Sequence, residues 1–77
     1  MNNISMATIK VNGESQVVEL PLTVEELIKQ NNVENPELVS VQVNEEFLDR
    51  NEYASRQVEE GDEIDFLFFM GGGQIYV

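Results

Sequence analysis

The sequence predicts an α+β fold in which a mixed sheet of four to five strands rolls around one helix. Three observations predict it. Short runs alternate apolar and polar residues with period two and are separated by turn dipeptides. One segment of about two turns carries a helical start signal and an apolar face of period 3.6. The chain has 77 residues, enough for one domain and one small core.

The elements follow in order. Residues 1–6 are polar and aperiodic and are expected to be a disordered N-terminal segment. Ala7-Thr8-Ile9-Lys10-Val11 alternates as a half-buried strand does. Asn12-Gly13 tolerates the positive φ of a tight hairpin, and Gln16-Val17-Val18-Glu19-Leu20 reads as the returning strand. Four residues separate these runs, so the turn is either the two-residue kind or longer. Pro21 lacks a ladder donor and should stop the strand.

Thr23 and Glu26 have the spacing of a capping box, and Val24, Leu27 and Ile28 fall on one helical face. A helix is therefore expected over Val24 to Gln30, with Asn31-Asn32 as its exit. Asn35-Pro36 marks a turn. Leu38 to Val43 alternates again, with Val39, Val41 and Val43 on one face. Asn44-Glu45-Glu46 is a turn leading to a short strand at Phe47-Leu48. Arg50 to Gln57 is polar and irregular, pinned by Tyr53 and Ala54, and Glu60-Gly61-Asp62 is a further turn. The last strand runs from Ile64 to Phe69, with Ile64, Phe66 and Phe68 facing the core. A single two-turn helix covers such a sheet only by crossing its apolar face, which makes the fold a roll. The order ββαβ(β)β is that of the β-grasp, or ubiquitin-like, fold, here a domain over 7–70 followed by a flexible glycine-rich tail over 71–77.

Composition excludes several functions. Four Lys and Arg against fifteen Asp and Glu give a net charge of −11, which opposes binding to nucleic acid or to an anionic membrane. The acidity reads either as a solvated surface or as steering toward a basic partner. The chain has no cysteine and no histidine, so it lacks a thiolate nucleophile, a disulfide, the usual general base and the commonest metal ligands. No apolar run approaches the roughly 18 residues of a membrane span. The first residues lack the basic and apolar regions of a signal peptide, and the expected location is cytoplasmic.

One feature exceeds a small α+β domain: Gly71-Gly72-Gly73, directly after the last strand and followed by Gln74-Ile75-Tyr76-Val77. Three glycines add nothing to a core and are costly to order. They serve either as a flexible turn or as a tail without Cβ atoms that enters a channel too narrow for side chains. If Ile64, Phe66 and Phe68 face the core, period two turns Leu67 and Phe69 outward. Two large apolar groups leading into the tail read as part of a partner-docking patch, or as ordinary scattered surface residues.

Five stretches together resemble the ThiS family of thiamine-pathway sulfur carriers. Ile9-Lys10-Val11-Asn12-Gly13-Glu14 looks like the family's opening, and Thr23-Val24-Glu25-Glu26-Leu27-Ile28 is similar to its T-V-x-E-L-L helix. Val41-Gln42-Val43-Asn44 resembles its V-x-V/L-N-G strand and turn. Glu60-Gly61-Asp62-Glu63-Ile64 resembles its G-D entry to the last strand, which leads into Gly71-Gly72-Gly73. The resemblance spans residues 7–73. It implies a protein co-substrate, not an enzyme: a carrier that binds no cofactor itself.

The resemblance further implies that a ThiF-like enzyme, using ATP and Mg²⁺, adenylates the terminal glycine. A cysteine desulfurase would then supply persulfide sulfur to form a thiocarboxylate, which a ThiG-like thiazole synthase would consume. Gly73, or Gly72, would be that terminus, and the carrier alone would be a monomer.

Two departures stand out. Glu45 occupies a position where the family often has glycine, and Gly73 is joined to Gln74 by a peptide bond, although family members commonly end at the glycines. An internal amide cannot be adenylated. The expectation is that a peptidase removes residues 74–77 and frees Gly73; the alternative is a retained tail with glycines that carry nothing. Competing functions are a carrier of the same chemistry for molybdopterin, cysteine, methionine or siderophore synthesis, and an interaction module that never carries sulfur. An enzyme fits least, since Asp62, Glu63 and Asp65 lie in or beside a turn where solvated carboxylates are expected.

Overall fold

A computed structural model of the chain describes the backbone of residues 5–70 and 73–76 and the side chains of residues 5–68. Asn12 and Gly13 both take positive φ, 52° and 85°, the geometry of a two-residue type I′ turn. They join β1 (Ser5–Val11) to β2 (Glu14–Leu20), and the pair Val11 with Glu14 closes the turn at two residues. The shorter alternative is adopted because asparagine tolerates the left-handed region and glycine has no Cβ to clash. β1 starts at Ser5 rather than Ala7, since β2 continues to Leu20 and offers partners to Ser5 and Met6. Residues 1–4 of the expected disordered segment lie outside the described residues.

Helix α1 (Val24–Gln30) opens on the capping box. Glu26 N–H donates to Thr23 Oγ1 at 3.2 Å, and Thr23 N–H donates to Glu26 Oε1 at 2.9 Å. Val24, Leu27 and Ile28 are buried, so the face with period 3.6 is the one laid on the sheet. Asn31 ends the helix: its Nδ2 donates to Leu27 O at 3.0 Å and to Gln16 Oε1 at 3.3 Å, tying the helix exit to β2.

A 3₁₀ turn over Pro36–Leu38 leads into β3 (Val39–Val43). Asn44 and Glu45, with φ of 53° and 72°, form a second two-residue turn into β4 (Glu46–Phe47). This short strand lies one residue earlier than expected because the turn uses two residues and not three. Tyr53 pins the following segment, buried, with its hydroxyl accepting from Val41 N–H at 3.2 Å. Ala54 is exposed, and Val58 is the second pin. Val58 N–H donates to Leu22 O at 2.7 Å, which draws the chain across the start of α1. There the carbonyls of Arg56 and Tyr53 accept from Val24 and Glu25, satisfying two of the helix's unpaired N–H groups.

β5 (Glu63–Met70) completes the core, and β6 (Gly73–Tyr76) follows it. The strand order is β2-β1-β5-β3-β4, with β6 pairing β5 off this path. β5 runs parallel to β1 and antiparallel to β3, so the sheet is mixed and the expected β-grasp roll is the fold. Its core joins Ile9, Val24, Leu27, Val39, Val41, Ile64 and Phe66, each at most 1% exposed. Burial of these side chains is the main source of stability.

Candidate functional site

The glycine run stands at the end of β5, so the site is built from whatever holds β5. Its start is fixed by Asp62, which is 6% exposed. Asp62 Oδ2 accepts from Glu59 N–H at 2.9 Å and lies 3.4 Å from Arg56 Nη2, while Asp62 Oδ1 accepts from Asn44 Nδ2 at 3.1 Å. Asn44 then reaches one residue further, its Oδ1 accepting from Glu63 N–H at 3.0 Å. The expectation of a solvated carboxylate fails at Asp62, because the β3–β4 turn and the turn before β5 close over it. Gly61, at φ 85°, makes that second turn possible, and its N–H donates to Thr8 O in β1.

Further along, Asn12 holds the middle of β5. Its N–H donates to Ile64 O and its Oδ1 accepts from Phe66 N–H, both at 2.9 Å. The asparagines of the two turns are therefore structural clamps on the strand that carries the glycines. Ile64 and Phe66 are buried; Phe68 is partly exposed and packs against the core. Leu67 is half-buried, on the sheet face opposite Phe66, with Ser40 of β3 as its register partner. Phe69 belongs to β5, and its side chain lies outside the described residues.

The register places other apolar side chains on Leu67's face. Met6, Val17 and Phe47 are exposed there, at 57%, 62% and 63%. The alternation in β1 and β2 carried this signal, since Met6 and Val17 fall out of phase with the core residues Ala7, Ile9 and Val18.

Gly71 and Gly72 lie outside the described residues. Gly73 is the first residue of β6, opposite Met70, and the following pairs are Phe69 with Gln74, Phe68 with Ile75, and Leu67 with Tyr76. Residues 73–76, expected in a flexible tail, are thus a strand. A Gly-Gly pair between β-prone runs is a hairpin signal, and Gln74-Ile75-Tyr76 has strand-forming composition.

Among the described residues no group of three or more His, Cys, Asp or Glu forms a candidate metal site, and no helix is long and apolar enough to cross a membrane. Gly73 has no side chain, so the chemistry it offers is that of its main chain. As encoded, Gly73 presents an amide, and hydrolysis of the bond to Gln74 would turn it into a carboxylate.

Comparison with known proteins agrees with this geometry. The sequence model of the ThiS family matches residues 5–73, a range that ends at the last glycine. A crystal structure of a thiamine biosynthesis protein, ThiS from Geobacter metallireducens, is similar to this chain at 38% identity with a TM-score of 0.77. The match covers 86% of this chain and 99% of that one. No curated protein sequence matches the chain.

Proposed function

The chain belongs to the ThiS family, and from that membership we propose that it is a sulfur carrier of thiazole formation in thiamine biosynthesis, acting in the cytoplasm. The observation that carries this reading is the position of Gly71-Gly72-Gly73, at the end of β5 and at the limit of the family match. Sulfur is held as a thiocarboxylate on Gly73, with Gly72 as the alternative terminus.

The chemistry starts with hydrolysis of the Gly73–Gln74 bond by a peptidase, in which one water yields the Gly73 carboxylate and the amine of Gln74. A carboxylate is a poor acyl donor, because oxide would have to leave. A ThiF-like enzyme, with ATP and Mg²⁺, transfers AMP to it and releases pyrophosphate, so that AMP becomes the leaving group. The terminal sulfur of a persulfide supplied by a cysteine desulfurase displaces AMP. A thiol reduces the resulting sulfur–sulfur bond, is itself oxidised, and leaves the thiocarboxylate for a ThiG-like synthase. None of these steps uses a side chain of the carrier, which agrees with a chain lacking Cys and His.

A second reading, an interaction module that keeps its tail, draws on one observation: Gly73–Tyr76 is part of the sheet. The intact mass of the protein from its own cells separates the two. A species ending at Gly73, partly shifted by one sulfur-for-oxygen exchange, is expected. A single species retaining residues 74–77 under sulfur or thiamine starvation would overturn the carrier reading. Genes beside its own distinguish thiazole synthesis from the molybdopterin, amino-acid and siderophore branches.

A further inference from the structure

β5 has one edge that β1 covers only at its start. The parallel pairing ends at Val11 with Ile64, and the Asn12 turn extends the cover to Phe66. Backbone groups of Ile64 and Phe66 bond toward this edge, so by the alternation of a strand those of Phe68 and Met70 point the same way. Beyond Asn12 they have no partner in β1. The residues opposite them are Ile75 and Gly73 of β6. In antiparallel pairing these are then the hydrogen-bonded pairs, with Phe69–Gln74 and Leu67–Tyr76 the closer, non-bonded ones.

We propose that the segment after Gly73 is a removable strap: as β6 it closes the open edge of β5 in the intact chain and holds Gly73 against the sheet. Removal of residues 74–77, the step taken from the proposed function, deletes three of the four paired positions. The remaining pair, Met70 with Gly73, cannot hold alone, because one pair must order a glycine-rich connection whose entropy cost is the highest of any residue type. One hydrolysis therefore makes the Gly73 carboxylate, frees the end that carries it, and uncovers the Phe68–Met70 edge. Before hydrolysis, the bond to be cut lies inside a paired strand, and the strap must open for a peptidase to take it as an extended substrate.

Solution NMR on three chains tests this: the full chain, full-length Ile75→Pro, and the chain ending at Gly73. Among the described residues the buried core lies between Ala7 and Phe66, and the shortened chain retains all of it. The full chain should give Hα–Hα contacts between Phe69 and Gln74 and between Leu67 and Tyr76. Exchange of the Phe68 and Ile75 amides should be slowed about tenfold or more relative to an open segment. Ile75→Pro removes the donor facing Phe68 and should abolish these contacts while leaving the spectrum of residues 7–64 unchanged. The chain ending at Gly73 should lose the slow exchange at Phe68. A full chain without the cross-strand contacts overturns the strap, and so does an equally protected Phe68 in the chain ending at Gly73. These readouts do not depend on sulfur transfer; if cells never trim the tail, the carrier reading fails and the pairing of β6 still stands or falls on the spectra.

Discussion

Glu45 holds a φ of 72° in the turn between β3 and β4, a conformation that costs a non-glycine residue about 1 kcal/mol or more. Glu45→Gly is expected to stabilise the domain by about 0.5–1 kcal/mol, part of the gain being offset by the freedom of glycine in the unfolded chain. That corresponds to a Tm higher by about 2–8 °C in a domain of this size; an unchanged Tm would mean that the turn relaxes in solution. Asp62 has the opposite character. Asp62→Ala leaves Asn44 Nδ2 and Glu59 N–H without their partner, and a loss of about 1–3 kcal/mol is expected in urea unfolding. A loss within a few tenths would show that water replaces the carboxylate. The sequence made Asn44 and Asp62 visible as turn residues, but not as one cluster, because 18 positions separate them.

The elements were legible to the degree that their determinants are local. The capping box of α1 is read from residues three apart, and the structure has it at the expected place. Thr23→Ala should therefore cost about 1 kcal/mol, measured by chemical denaturation, while leaving the fold intact; no change would mean that the carbonyls of Arg56 and Tyr53 suffice to cap the helix. Boundaries moved where a partner decided them. β1 gained Ser5 and Met6 from the length of β2, and β4 shifted when Asn44 and Glu45 closed their turn at two residues. The edge of β3 is finished by side chains from the irregular segment, by Tyr53, which was expected to pin it, and by Arg50, which was not. Tyr53 accepts from Val41, and Arg50 Nη2 donates to Val39 O at 2.7 Å, which blunts an edge open to further pairing.

For the whole molecule, the register collects Met6, Val17, Phe47 and Leu67 on one sheet face, the face whose strand β5 leads to the glycines. Under the proposed function, Leu67→Asp should weaken binding to a ThiF-like adenylating enzyme by tenfold or more, on the order of 1.4 kcal/mol, with thermal unfolding little changed. A collapse of stability instead would mean that half-buried Leu67 serves the fold. The sequence by itself determined the strands before the glycines, the capped helix, their order and the glycine end, because periodicity, turn dihedrals and caps are properties of a few consecutive residues. Only the tertiary structure decided that Asp62 is buried, that Asn12 clamps Phe66 across 54 positions, and that Gly73–Tyr76 pairs with β5. Each of these depends on which strand lies beside which, and on the edge that the short β1–β2 hairpin leaves open.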